Sequence, residues 1–158
     1  MKVFKLASLV MGLLPFFYCL YHVVALWFGY EGKLGADPGK ELVRFNGQCA
    51  LVFLLLTQVL TPLKEVTGFN LVSIRRILGL FCFLYASLHF TAYLLLLLEF
   101  RFSELSDDLV KRPYISVGFA AFILLLPLAI TSNNWMVARF RGRWKTLHKL
   151  VYPALFLA

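Results

Sequence analysis

The chain has no Ser/His/Asp grouping, no glycine-rich phosphate loop and no paired carboxylates at a useful depth, so hydrolase, nucleotide-transfer and acid–base glycosidase chemistry have nothing to stand on. Cysteine is scarce. The three present, Cys19, Cys49 and Cys82, are odd in number, form no CxxC pair and fall in or beside apolar segments, which argues against a disulfide framework or thiolate metal site and predicts buried structural thiols. No repeat, low-complexity tract or linker interrupts residues 1–158, so a single domain is expected. Lys2 and Lys5 precede an apolar run, as in a signal peptide. That run lacks a small-x-small cleavage site and is too long and aromatic for one, so it reads as a first spanning helix.

What the chain does have is apolar surface: 61% of residues are hydrophobic and 16% aromatic, outside the range of a soluble domain of 158 residues. Five segments approach the ~20 residues that a bilayer crossing needs. They cover 6–29, 46–63, 77–98, 113–131 and a stretch beginning near 147, which predicts an all-α, polytopic transmembrane bundle. The fifth is still apolar at Ala158, so the natural polypeptide is expected to continue. A net charge of +8 would suit nucleic acid, but the basic residues sit in loops beside apolar spans, where membrane orientation explains them and no nucleic-acid partner is expected. Lys2 and Lys5, then Lys64, Arg75 and Arg76, then Arg139, Arg141, Arg143, Lys145 and Lys149 fall on one side of a five-span path. The positive-inside rule makes that side, with the N-terminus, cytoplasmic. The other loops are mixed: Glu31, Asp37 and Glu41 offset Lys33, Lys40 and Arg44, and Glu104, Asp107 and Asp108 offset Lys111 and Arg112.

Local signals refine this path. Asp37-Pro38 after Gly35 predicts an N-cap and a short outer helix over 38–44. Pro62 is expected to close the second span and Pro113 to open the fourth, while Pro15, Pro127 and Pro153 lie inside spans and predict kinks. Gly79, Ala86, Ser87 and Ala92 predict close approach of the third helix to its neighbours.

Chemistry concentrates on the histidines. His89 follows Arg76 by thirteen residues, ~20 Å of helix at ~1.5 Å each, which places an imidazole past the middle of a hydrocarbon core ~30 Å thick. Such a group needs a partner. It reads either as a neutral histidine donating to a carbonyl of an adjacent helix or as an axial ligand to haem iron between aromatic and aliphatic walls. His148 opens the fifth segment between Lys145 and Lys149, near the basic surface. His89 and His148 therefore differ in depth by ~15–20 Å. A residue about thirteen positions beyond His148, near position 161, would stand level with His89. His22 lies near the opposite interface and reads as an interfacial or packing residue. The arginines at 75, 76, 139, 141 and 143 are orientation signals, with a secondary role as partners for haem propionates or a flavin phosphate. Asn46-Gly47-Gln48 shows no catalytic constellation.

The stretches LGADP at 34–38, TPL at 61–63, RRILGLFCFLYASLHFTAY at 75–93, KRPYISVGF at 111–119, LAITS at 128–132 and RWKTLHKLVY at 143–152 together resemble one family. It comprises the haem-binding membrane subunits of periplasmic protein-methionine-sulfoxide reductase systems, a bacterial branch of the ferric-reductase-like transmembrane domains. The resemblance implies a multi-pass protein of the bacterial inner membrane carrying b-type haem and flavin mononucleotide (FMN). It would pass electrons from membrane quinol to a periplasmic molybdenum-cofactor enzyme that repairs oxidised envelope proteins, acting as electron donor and not as the catalytic reductase. The family's histidines map to His89 and His148, with a third ligand, and a sixth helix, expected beyond Ala158. His148 is then either a second ligand or a residue near a cytoplasmic cofactor. One histidine in the third helix, with Ser103 where a second might stand, implies fewer haems than the four-histidine oxidases hold, most simply one. Two rivals remain, a transmembrane ferric metalloreductase and a non-redox, proton-coupled transporter in which His89 relays protons.

Overall fold

A computed structural model describes residues 2–29, 36–68 and 71–158. Glu31, Lys33 and Gly35, of the loop read above as mixed in charge, lie outside them. Helices account for nearly all the described residues, among which there is no strand. The chain divides into two compact units, Met1–Glu99 and Phe100–Ala158.

The first unit holds three long helices, α1 (Lys2–Trp27), α2 (Pro38–Thr67) and α3 (Val72–Ala92), the last extended by a π-helical turn over Tyr93–Leu97. In the second, α4 (Phe102–Lys111) and α5 (Pro113–Ile130) precede short helices α6 (Asn134–Phe140) and α7 (Gly142–Leu147), a 3₁₀ turn at His148–Leu150, and α8 (Val151–Leu157). Four helical stretches are long and apolar enough to cross a membrane: Val3–Trp27, Pro38–Thr67, Val72–Leu97 and Pro113–Ile130. Their outward faces carry large apolar side chains, among them Phe4, Leu14, Phe17, Tyr21 and Val52. Lipid solvates that surface without penalty, and satisfied helical backbones are the form in which a chain enters it.

Two boundaries depart from the expectations above. The short helix over 38–44 and the second span are one helix of 30 residues. Asp37 caps it by accepting from the Lys40 amide at 3.0 Å, Pro38 starts it, and buried Leu42 and Asn46 carry the inward face straight on into the span. Pro62 does not close α2. The helix runs on to Gly68, whose left-handed φ of 71° and N–H bond to the Lys64 carbonyl end it. In the fifth segment the helix changes character at 148–150, one turn before Pro153. A proline removes the bond to the residue four before it and crowds that carbonyl, here Lys149, which favours the local break.

Close packing in the first unit also differs in its agents. Gly79 faces Thr57 with ordinary clearance, so the third helix does not depend on it for close approach. The glycines that matter sit on the partners of α3. A Cβ on Gly12 of α1 would overlap the Phe81 ring, and Gly12 also accepts the Tyr85 hydroxyl at 2.6 Å through its carbonyl. Tyr85 is fully buried and lies parallel to Phe53, with centroids 5.4 Å apart, while Phe53 in turn stacks on Phe81. With Phe81 confined between Gly12 and Phe53, Gly12→Ala is expected to destabilise the protein by ~1–3 kcal/mol through overpacking, read as a lowered melting temperature in detergent.

Candidate functional site

The α2–α3 contact is the most extensive in the molecule, and His89 lies in it on the last turn of α3. The Nδ1 atom of its half-buried ring stands 2.7 Å from the backbone carbonyl oxygen of Val43 on α2. A carbonyl only accepts, so Nδ1 donates in this contact, and Nε2 is the nitrogen left for another partner. The two readings of His89 are therefore compatible: the bond to the neighbouring helix uses one nitrogen and prepares the other. This is the arrangement that orients metal-bound histidines, since a partner on one ring nitrogen fixes the tautomer and raises the basicity of the other.

Gly47, one turn along α2 from Val43, makes the approach possible. A Cβ there would stand 2.9 Å from His89 Nδ1 and 3.0 Å from Cε1, closer than a side chain tolerates. The seat for the imidazole is thus made of backbone, the Val43 carbonyl and the bare Cα of Gly47. One turn below His89, Tyr85 and its ring stack close the interior, and the helix beyond opens into the π turn, where the Leu98 amide reaches back to the Tyr93 carbonyl at 3.1 Å. Turns of this kind recur at functional sites.

His148 belongs to the second unit. Its Nε2 lies 3.2 Å from Thr131 Oγ1, and its ring packs on Trp144 with centroids 4.0 Å apart. The Thr131 hydroxyl also donates to the Pro127 carbonyl at 2.6 Å. Trp144 Nε1 donates to the Thr131 carbonyl at 2.9 Å, tying the same threonine to the basic segment.

Arg75 donates from Nη1 to Thr61 Oγ1 at 2.9 Å, bracing the start of α3 against α2, and Arg76 beside it is half-buried. Both stand a helix length of ~20 Å from His89, so any ligand they touch meets the opposite end of the span. His22 is buried and packs edge-on against Tyr18 and Tyr21, in agreement with a packing role. The three cysteines are free, with Cys19 and Cys82 buried and Cys49 partly so, and Cys19 Sγ accepts from Asn46 Nδ2 at 3.4 Å.

The residues missed from sequence are Val43 and Gly47. Asn46-Gly47-Gln48 carries no catalytic constellation, yet Gly47 lies where the imidazole is seated. A glycine isolated in an apolar helical run was the available signal. A backbone carbonyl leaves none.

Among the described residues no three of His, Cys, Asp or Glu converge as a metal cage. A half-buried imidazole whose Nδ1 is held by a backbone carbonyl could offer its other ring nitrogen to haem iron, with His89 as the residue that would hold it. The chemistry of the donor fits that group.

The family described as ferric reductase like transmembrane component matches residues 45–158. Among curated proteins, the protein-methionine-sulfoxide reductase heme-binding subunits MsrQ of Brucella ovis, Brucella canis and Brucella suis are each 46% identical to this chain over 136 residues, 84% of its length. The chain spans 62% of the length of those relatives. No solved structure matches.

Proposed function

Because the chain belongs to the ferric-reductase-like transmembrane family, we propose that it is the haem b-carrying, electron-transfer subunit of a protein-methionine-sulfoxide reductase system. The observation that carries this reading is the seat of His89, with Nδ1 held by the Val43 carbonyl and Nε2 left as the ligating nitrogen, together with relatives named as heme-binding subunits. Residues 1–158 then form one membrane domain of the bacterial inner membrane with a cytoplasmic N-terminus and a fifth crossing that begins near residue 147.

Haem supplies one-electron chemistry when bound. The protein's own residues do the rest. His89 would hold the iron, and the Val43 bond keeps the ring from rotating and makes Nε2 a stronger donor. The apolar side chains of α2 and α3 would keep water from such a group and so tune its potential. His148 serves as a second ligand or borders a cofactor nearer the cytoplasmic face, and Arg75 and Arg76 meet acidic groups of haem or FMN there. Electrons enter from membrane quinol and leave to a periplasmic molybdenum-cofactor reductase, which performs the bond chemistry on methionine sulfoxide.

The test is spectroscopic. Membranes containing the protein should show b-type bands on reduction with quinol, and the periplasmic molybdoenzyme with methionine sulfoxide should reoxidise them. Reoxidation by ferric chelate alone would make the protein a metalloreductase. Absence of any haem band would leave proton-coupled transport.

A further inference from the structure

The second unit carries a feature that the electron-transfer reading does not use. Between residues 132 and 158 the chain has no acidic residue, yet Arg139, Arg141, Arg143, Lys145 and Lys149 fall within eleven positions. Among the described residues none of these five pairs with a carboxylate. The interaction described for Arg139 is with the Trp135 ring, 5.4 Å from its centroid. Three of the five line an open cavity of about 840 Å³ with Phe140, Gly142 and Thr146.

The backbone builds this cavity. α6 ends and α7 begins at Arg141, whose φ of 46° lies in the left-handed region that a non-glycine residue avoids. That reversal sets arginines from both sides of the corner around one space, and local strain of this kind clusters at ligand sites. Three guanidinium forks and one hydroxyl, with no acid among them, make a donor set for the oxygens of a phosphate.

The source of that phosphate follows from position. α6, which leads into this corner, begins four residues after Ile130, the end of a helix long enough to cross a membrane, which places the segment at head-group depth. Trp135, 63% exposed, and Phe140, 39% exposed, stand at the same corner, and aromatic residues of this type settle at the membrane–water interface. We propose that Arg139, Arg141, Arg143 and Thr146 form a binding site for the phosphate of an anionic phospholipid head group. Trp135 and Phe140 anchor beside it in the interface. The site lies apart from His89 along the chain and does not depend on the haem reading.

The test uses the whole protein in nanodiscs of phosphatidylcholine with or without phosphatidylglycerol. Brominated phosphatidylglycerol should quench tryptophan fluorescence at several-fold lower mole fraction than brominated phosphatidylcholine, and native mass spectrometry should find phosphatidylglycerol retained. Combined Arg139→Gln, Arg141→Gln and Arg143→Gln should weaken that retention by more than about tenfold, because each removes a guanidinium fork from the phosphate. Lys145→Gln with Lys149→Gln, which removes charge outside the cavity, should leave most of it. Arg141→Lys, which keeps the charge and loses the fork, should fall between. Circular dichroism checks that the helices persist in each variant. Equal loss in the lysine variant would reduce the effect to a diffuse field and overturn the site. Equal quenching by the two lipids would overturn it as well, and displacement of phosphatidylglycerol by millimolar inorganic phosphate would reassign the site to a soluble phosphorylated ligand.

Discussion

If His89 holds the haem proposed above, His89→Ala is expected to abolish the b-type Soret band of this site, with the helical circular dichroism intact. The expected loss is near complete because His89 is the one imidazole on α3, and because the Val43 carbonyl contributes only through the ring it holds. His89→Gln is the sharper companion, since it conserves bulk and polarity yet offers no imidazole nitrogen, and it should fail to restore the band. A Soret peak of unchanged height and position in either variant would remove His89 from the cofactor. His148→Ala measured alongside separates the two roles left for that residue: loss of the same band makes it a partner on the same iron, and an unaltered band moves it to another site.

A second large effect is expected at a residue with no functional group. Gly47→Val pushes methyl groups into space where even a Cβ would sit 2.9 Å from His89 Nδ1. The ring must move off the Val43 carbonyl, leaving a donor without its partner at a cost of ~1–3 kcal/mol, and the crowding between α2 and α3 adds ~1–3 kcal/mol. Loss of such an orienting contact lowers the affinity of a metal site by ~10–100-fold. Haem occupancy should therefore fall steeply, and the haem that remains should have a shifted midpoint potential and altered ligand-field bands. Gly47→Ala, which asks the ring to give by a few tenths of an ångström, should retain haem and shift the potential in the same direction. Wild-type spectrum and potential in Gly47→Val would show that the imidazole does not rest on α2.

These two residues mark how far the chain was legible. His89 announced itself, because an ionisable side chain thirteen residues into an apolar helix has few reasons to be there. Gly47 carried a faint sign, and the Val43 carbonyl none, because every residue has that group and only the packing of one helix on another selects which one meets the ring. The same contrast runs through the boundaries. Asp37-Pro38 marked the start of α2 correctly, since a cap acts within one turn. Its end was misjudged at Pro62. A proline forbids one hydrogen bond, and where the rest of the helix is sustained by burial and lipid the chain continues until a residue such as Gly68 can turn left-handed.

Composition and periodicity were enough to predict the helical class and four of the stretches long and apolar enough to cross a membrane, because these depend on how apolar each run is and how long. Which nitrogen of the His89 imidazole is bonded, which glycines let rings close on neighbouring helices, and which arginines gather around one cavity depended on contacts between residues far apart in the chain. Such contacts are set by the angle and register at which finished helices meet, and no local run of residues encodes them.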